Sequence, residues 1–468
     1  MLNRLMIKPA EKRVLQMHHH VLGPAPRKRC AKQVGCNLVL SLARAIGLAM
    51  RTCARTIEMR QLTAAETLAL LMALGMISGS SRAESSRVED EEDTFRPYVR
   101  GLYGYDSNLF RLQNDQEANA VLGTTDTAES YHTLAAGMDM NLRLSRQAIK
   151  AHAEFNQTWF SKYNMLDYDG HDAYLKWDWL VGSAAKGDVG ISETLTQASY
   201  ANVKQPVSNL IRTRRTFFRG AIKLDNPWQV KFGADRTKTN NNASIQQVQD
   251  ATVDTVNAGV QYSSRKGSTV ELISQRSDGQ YPNRQIVGLS LVDNDYRQWD
   301  NGVAVAWAPT GKTQVAGKLN YTQRSYADMP QRNFSGLTGL VAMDWTVTGQ
   351  TTLRASVHRD IGALENNTAS YTLNQGIAFG ADWKPTAKLA FNTQLRYDDI
   401  DYAGDPGFVQ STAQAREDRL STVQAGVEYS VLRNTMLGLV LKRGVRDSSE
   451  ALSSYVYNSA LINLRSEF

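Results

Sequence analysis

The chain has 468 residues, and its mean hydropathy of −0.40 excludes a polytopic helical membrane protein, which needs repeated apolar runs of about 20 residues. Its formal charge of +7 comes from residues 1–83, which carry 13 Lys and Arg against 3 Asp and Glu. The rest of the chain has 40 basic and 43 acidic residues, so we expect no nucleic-acid partner. All three cysteines also lie before residue 84, so the remainder forms neither disulfides nor thiolate metal sites.

Residues 1–58 differ in composition from everything that follows. They contain His18-His19-His20 and an apolar run, 38–50, that Arg44 interrupts and that is too short to span a bilayer. We interpret them either as a non-native start extension, with the true start expected at Met50 or Met59, or as an extended pre-sequence.

Residues 59–83 predict a signal peptide. Arg60 continues a basic segment, residues 68–77 form an apolar stretch, and Ala83 ends the small residues that a signal peptidase reads. An amphipathic helix of a soluble protein is the alternative. After cleavage, residues 84–94 would be a short acidic lead in the periplasm.

The region around residues 301–326 sets the pattern for the remaining chain. Apolar and small or polar residues alternate on both sides of the Pro309–Lys312 turn, which predicts a β-hairpin. The motif returns with aromatic residues at Tyr262, Trp345, Trp383 and Tyr429. Such a repeat also occurs in solenoids and propellers. A short turn at one end of each hairpin and a long polar loop at the other instead favour an outer-membrane β-barrel.

We therefore predict an all-β chain in which residues 95–468 form one transmembrane antiparallel barrel. About 18 strands are expected, with 16 to 20 as the range and a soluble all-β protein as the alternative. Short turns would face the periplasm and long loops the exterior. The strands are expected near residues 95–105, 131–145, 147–160, 171–182, 187–198, 211–224, 228–238, 252–263, 268–277, 296–308, 313–325, 335–346, 350–360, 370–383, 387–398, 416–430, 434–445 and 452–468.

Aromatic residues in two kinds of position support this interpretation. The first would lie at the membrane interface near the short turns: Trp179, Trp228, Trp307, Trp345, Trp383 and Tyr429. The second is Phe468, which ends a strand with Ala460, Ile462 and Leu464 on one face. A terminal aromatic is the usual recognition end for the machinery that inserts barrels, and we expect that machinery as a partner.

The opposite faces of the predicted strands carry the charges and would line a lumen. A basic row on one strand could bind an anionic sugar polymer or phosphate, or it could pair with neighbouring carboxylates. The candidate polymer contacts are Arg215, Arg219, Lys223, Lys231, Arg354 and Arg396. No catalytic motif, metal site or cofactor site is present in the sequence pattern, so we expect neither an enzyme nor a cofactor.

The first strand carries a resemblance to a known family. Pro97, Tyr98 and Tyr103 precede Tyr105-Asp106-Ser107-Asn108-Leu109-Phe110-Arg111. This stretch resembles the start of the EpsL-type outer-membrane barrels, which are encoded with exopolysaccharide biosynthesis systems. The resemblance implies an outer-membrane exit for a polysaccharide. The residues Asp106, Ser107 and Asn108 could equally form an Asx turn that ends the strand.

The expected function is an outer-membrane channel that exports an exopolysaccharide or passes another hydrophilic solute. One alternative is a general or nutrient porin, with residues 106–130 as its inward-folded constriction loop. The other is a structural or adhesive barrel without transport. Expected partners are outer-membrane lipids and lipopolysaccharide, an anionic polysaccharide and a periplasmic export partner.

Overall fold

A computed structural model describes residues 94–468 apart from 202, 225, 288–289, 328–329, 363–370 and 404–415. Its main element is one closed sheet of 18 antiparallel strands, which confirms the predicted fold class. The pre-sequence, the signal peptide and all but the last residue of the acidic lead lie outside the described residues.

The barrel strands are close to the predicted ones, with ends that differ by a few residues. They are β1 (Phe95–Asp106), β2 (Glu129–Leu144), β3 (Gln147–Phe160), β4 (Tyr168–Val181), β5 (Ala185–Gln197), β6 (Leu210–Lys223), β7 (Trp228–Asn241), β8 (Ala251–Ser263), β9 (Thr269–Gln280), β12 (Tyr296–Thr310), β13 (Thr313–Tyr326), β14 (Phe334–Thr348), β15 (Thr351–Ile361), β16 (Tyr371–Thr386), β17 (Leu389–Ala403), β18 (Glu417–Ser430), β19 (Thr435–Ser448) and β20 (Tyr455–Glu467).

The connections between strands are short at one end of the barrel and long at the other. The long ones contain the remaining elements. Helix α1 (Asp115–Leu122) lies between β1 and β2, and a small hairpin of β10 (Gln285–Val287) and β11 (Ser290–Val292) lies between β9 and β12. Single 3₁₀ turns occupy three further loops, at Asn164–Leu166, Ser244–Gln249 and Pro330–Arg332. None of the helices in the described part of the chain is long and apolar enough to cross a membrane.

Pairing of the first strand with the last closes the barrel. The register runs from Tyr98 opposite Glu467 to Asp106 opposite Ser459. The backbone N–H of Phe468 extends this pairing by donating to the carbonyl oxygen of Pro97 at 2.9 Å. Each barrel strand therefore has two neighbours, and no open strand edge is left for lipid to meet.

Inward-facing side chains reinforce this seam. Arg465 of β20 donates to Asp139 of β2 at 2.8 Å, and its guanidinium lies 3.7 Å from the ring centroid of Tyr98 on β1. The Tyr98 hydroxyl donates to Glu154 of β3 at 2.7 Å, and Nδ1 of His152 lies 2.8 Å from Asp139 Oδ1. Four consecutive strands of the ring are thus linked by polar side chains as well as by the backbone.

Strand register fixes which residues face outward. Phe218, Ile222 and Leu224 share a face with Trp228 across the β6–β7 hairpin, and all four are exposed. Arg215, Arg219 and Lys223 occupy the other face of β6. Alternation therefore separates an apolar outer surface from a charged inner one.

The hairpin ends differ from the prediction at the two Trp-x-Pro-Thr motifs. Strands β12 and β16 continue through Pro309 and Pro385, and the turns fall at residues 311–312 and 387–388. Register shifts occur between Trp307 and Thr310 and between Trp383 and Thr386. Proline has no N–H to donate to a sheet, so it is accommodated at these irregularities rather than ending the strand.

The face assignment can be tested at neighbouring residues in the middle of β14. Val341 faces outward between Val357 and Gly317, whereas Ala342 faces inward between Ala316 and Ser356. Val341→Arg should destabilise the protein by about 2 to 4 kcal/mol in a bilayer, because it places a charge at mid-depth in lipid. Ala342→Arg is the matched control and should cost much less. Urea unfolding in lipid vesicles measures both, and equal losses would contradict the assignment.

Candidate functional site

The lumen is open to solvent in its middle and in the half near the short turns. The inward-facing side chains of Arg215, Arg219, Arg354 and Arg396 are between 50% and 59% exposed. Long side chains that point into a packed core would be covered. Their exposure indicates space for water inside the barrel, as expected for a barrel of this strand number.

Five of the six predicted polymer-contacting cations form ion pairs with carboxylates of the lumen wall. These pairs are Arg215 with Asp235, Arg219 with Asp188 at 2.6 Å, Lys231 with Glu271 at 2.6 Å, Arg354 with Asp382, and Arg396 with Asp398 at 2.6 Å. The sixth, Lys223, has no ion pair within the described residues. Pairing holds the side chains against the wall and lowers the net charge that a solute would meet.

A basic groove nevertheless runs along the wall near the short turns of β2 to β7. Its volume is about 680 Å³, and its lining includes the basic residues Arg143, Arg146, Lys186, Arg219 and Lys231 but only two acidic residues, Asp178 and Asp188. Lys186 is exposed and forms no ion pair within the described residues. The same is true of Lys223, which lies two positions along β6 from the groove residue Ala221. The groove therefore favours anions over cations.

The long loop after β1, residues 107–128, folds into the opposite end of the lumen; we call it the mouth loop. It begins with an Asx turn, one of the two interpretations of Asp106–Asn108 in the sequence analysis. In this turn the Asn108 N–H donates to Asp106 Oδ1 at 2.9 Å. The Asn108 side chain donates to the Val456 carbonyl oxygen at 3.0 Å. The Arg111 guanidinium donates to both Asp106 oxygens at 2.8 Å and lies 3.7 Å from the Tyr457 ring centroid. Because Tyr457 faces inward on β20, these contacts direct the loop into the barrel.

An apolar cluster holds the mouth loop in place. Phe110 is fully buried, and its ring contacts those of Tyr163 and Tyr200 at centroid distances of 4.9 and 4.8 Å. The buried members of the cluster come from four parts of the chain: Phe110, Leu112, Ala118, Phe160, Leu166 and Tyr200. The loop is therefore anchored by a small hydrophobic core of its own.

A second loop, residues 198–209, crosses the mouth to meet the first. The Lys204 ammonium lies 3.2 Å from Glu117 of α1, and Arg446 Nη1 of β19 donates to the Ala201 carbonyl oxygen at 3.2 Å. Burial lowers the pKa of Lys204, and the Glu117 carboxylate opposes that shift. Burial also raises the pKa of the Tyr200 hydroxyl. The second loop is therefore packed inside the barrel mouth and does not simply lie in solvent above it.

Inward-facing tyrosines at the loop end of the strands are covered by arginines. Tyr326, Tyr402, Tyr455 and Tyr457 are buried. The guanidinium carbons of Arg111, Arg324 and Arg416 lie 3.7, 4.2 and 4.2 Å from the ring centroids of Tyr457, Tyr296 and Tyr402. Each of these three rings stacks on one of the protein's own cations, so the ring face that contacts the guanidinium is not free to stack on a sugar.

The remaining predicted site residues lie on the outer surface. The predicted interface aromatics all face outward near the short turns, and all but the partly covered Trp179 are exposed: Trp179, Trp228, Trp307, Trp345, Trp383 and Tyr429. Tyr105 faces outward too, and Ser107 pairs with Asn458 through two hydrogen bonds of 2.9 and 2.8 Å. Phe468 is exposed at the barrel seam.

Sequence reasoning predicted the long connection between β5 and β6 but not its packing into the barrel mouth. It also missed the tyrosine–arginine stacks and the seam network. Their partners are far apart in sequence, and no local period marks them. Within the described residues, no group of three or more His, Cys, Asp or Glu side chains is placed to hold a metal ion.

Comparisons with known proteins agree with a porin-type barrel. Residues 302–468, less than half of the chain, match the family described as "Putative beta-barrel porin 2". No curated protein matches the chain. With the closed 18-stranded sheet, the family match supports a barrel of the bacterial outer membrane.

Several solved structures are similar over much of their length. OpdK of Pseudomonas aeruginosa with vanillate is 10% identical, with a TM-score of 0.45, over 80% of this chain and 99% of that one. OccK2 (OpdF) of the same organism is 10% identical, with a TM-score of 0.46, over 80% and 98%. OccAB3 of Acinetobacter baumannii is 8% identical, with a TM-score of 0.44, over 80% and 99%. Similarity at these TM-scores and sequence identities does not indicate which solute this chain would pass.

The role of the apolar cluster can be tested with Phe110→Ala. Loss of this fully buried ring should destabilise the packed mouth loop by about 3 to 5 kcal/mol, while the barrel stays folded. Limited proteolysis should then cut within residues 107–128 much faster than in the wild type. Met165→Ala, at an exposed position in a neighbouring loop, is the control and should leave the cleavage rate unchanged. Equal cleavage of all three proteins would show that the cluster does not hold the loop.

Proposed function

We propose that this protein is a diffusion channel of the outer membrane for small hydrophilic solutes, with a preference for anions. The observation that carries the proposal is the solvent-exposed inner wall, whose arginine side chains are half exposed in the middle of the lumen. The basic groove near the short turns supplies the preference for anions. Ion pairs along the rest of the wall keep this preference modest.

The packed mouth limits the size of the solute. Two loops meet inside the extracellular end of the barrel. Asp418, whose partner Arg446 also donates to the second loop, is completely buried there. A solute must therefore pass beside the mouth loop before it reaches the open lumen. This arrangement is the one expected for a porin with an inward-folded constriction loop.

Export of an exopolysaccharide, implied by the first-strand resemblance, has less support. The residues that carry the resemblance, Asp106 to Arg111, have a structural role in turning and anchoring the mouth loop. The inward tyrosines that could stack on sugars are covered by arginines, and most of the candidate cations are paired. The family match likewise names a porin and no polymer. We therefore favour diffusion over export.

The preference for anions depends on unpaired lumen cations. Lys186→Glu with Lys223→Glu should lower the chloride-to-potassium permeability ratio severalfold, because both side chains are exposed on the inner wall. The reversal potential of planar bilayers in a potassium chloride gradient measures this ratio. Arg359→Glu with Arg419→Glu makes the same charge change on the outward face and should leave the ratio unchanged. If both pairs have the same effect, the basic groove does not set selectivity.

The constriction is tested by replacing residues 113–126 with a Gly-Ser-Gly linker. This removes α1 but keeps the Asx turn and Phe110, so single-channel conductance and the size cut-off for uncharged polymers should both rise. The variant must still run as a folded barrel in unheated electrophoresis.

The wild-type pore also distinguishes diffusion from export. If an anionic polysaccharide blocks the conductance and a neutral dextran of equal size does not, export is favoured. A folded barrel without conductance in either form would leave the structural or adhesive alternative.

A further inference from the structure

A second charged surface lies on the outside of the barrel, near the loop end of β5 to β9 and β12. It is formed by residues whose side chains alternate away from the lumen. Strand register places Arg214 beside Glu193 and Lys238, Arg236 beside Asp254, and Arg297 beside Asp278. We call the basic members the outer basic patch: Arg212, Arg214, Arg236, Lys238, Arg276 and Arg297.

The outer basic patch continues the lipid-facing surface. Closer to the short turns, the same outward faces of β6, β8 and β9 carry apolar residues. These are Phe218, Val256 and Leu272, and all three are exposed. The change from apolar to charged residues marks the upper limit of the hydrocarbon region, because charge on a barrel's lipid face becomes tolerable only near the interface. The patch is therefore at the level of the headgroups of the outer leaflet.

Four of the cations project further than the carboxylates among them. The side chains of Arg212, Arg214, Arg236 and Arg297 are 53% to 67% exposed. The side chains of Glu193, Asp254 and Asp278 are 22% to 38% exposed, and that of Arg276 is 37% exposed. Six basic residues also outnumber the three acidic ones, Glu193, Asp254 and Asp278. An anion that approaches from the lipid side would meet guanidinium and ammonium groups first.

The ion pairs within the patch orient the guanidinium groups without using all of their donors. Arg236 donates from Nε and Nη2 to the two oxygens of Asp254 at 2.6 and 2.7 Å. Its Nη1 has no hydrogen bond within the described residues. A fixed, planar guanidinium with free N–H groups is well suited to a phosphate, which it can bind in bidentate geometry.

The patch is confined to one side of the barrel. On β15 and β17 to β19, the outward residues at the same end are three basic and four acidic ones: Arg359, Arg419, Arg443, Asp399, Asp401, Glu417 and Asp447. On β13 and β14 they are uncharged, with Gln323, Ser325 and Ser335. A general need for interfacial charge would not produce this asymmetry.

We propose that the outer basic patch is a binding site for a phosphorylated glycolipid of the outer leaflet, whose phosphates contact Arg212, Arg214, Arg236 and Lys238. Acyl chains of the same molecule would lie on the apolar surface beside Phe218 and Val256. Charge complementarity and continuity with the lipid-facing surface identify this occupant. The site is separate from the lumen and does not depend on the proposed channel activity.

The test uses full-length protein extracted from outer membranes, freed of lipid and titrated in detergent with diphosphorylated lipid A. Replacement of Arg212, Arg214, Arg236 and Lys238 by Gln should weaken binding by about fivefold per cation removed. Dephosphorylated lipid A should bind the wild type as weakly as intact lipid A binds this variant. Inorganic phosphate should not compete at millimolar concentration, because the site also needs the acyl chains.

Two further variants keep the proposal falsifiable if the quadruple variant fails to fold. Arg212→Gln with Arg214→Gln, a smaller change confined to β6, should weaken lipid A binding about 25-fold, at about fivefold per cation. Arg359→Gln, Arg419→Gln and Arg443→Gln together, on the opposite outer wall, should leave binding unchanged. The proposal is overturned if intact and dephosphorylated lipid A bind the wild type equally, or if the opposite-wall variant loses as much affinity as the patch variant.

Discussion

The fold rests on one constraint: in lipid, every backbone N–H and C=O of a strand needs a partner within the protein. The pairing of β1 with β20 meets this requirement for the two strands that would otherwise have free edges. Once the ring is closed, each strand can offer only alternate side chains to lipid. The apolar outer surface and the charged inner wall both follow from that geometry.

Closure also determines how the charges behave. Inward cations cannot reach lipid or a dry core, so they either face water or pair with carboxylates of adjacent strands. Arg219 and Asp188 show this behaviour, lying opposite each other in the register of β6 and β5. The same constraint leaves the long loops on one side with no sheet to join. Two of these loops, residues 107–128 and 198–209, fold into the mouth, where Phe110 and Tyr200 belong to a shared apolar core.

The sequence was informative where structure depends on local alternation. The period of two in β14 is enough to place Val341 outward and Ala342 inward without knowledge of any distant residue. Turn chemistry likewise placed Asp106 and Asn108 in an Asx turn. Contacts set by closure and loop folding were beyond this reasoning. Lys204 meets Glu117, and Arg446 meets Ala201, across separations that no local pattern encodes. The pairing of Arg219 with Asp188 also depends on the register of their two strands across a long loop, which no local pattern sets.

The run Arg212-Thr213-Arg214-Arg215 shows how closure converts one sequence feature into two surfaces. In the sequence it is a single basic cluster near a strand end, and strand alternation assigned its last member, Arg215, to the lumen. In the barrel, Arg212 and Arg214 face lipid beside Glu193, whereas Arg215 faces the lumen and pairs with Asp235. A shift of the strand by one residue would exchange the two sets. The proposed contacts with lipid headgroups and with a passing solute therefore belong to different residues of one strand, and each can be altered while the other is kept.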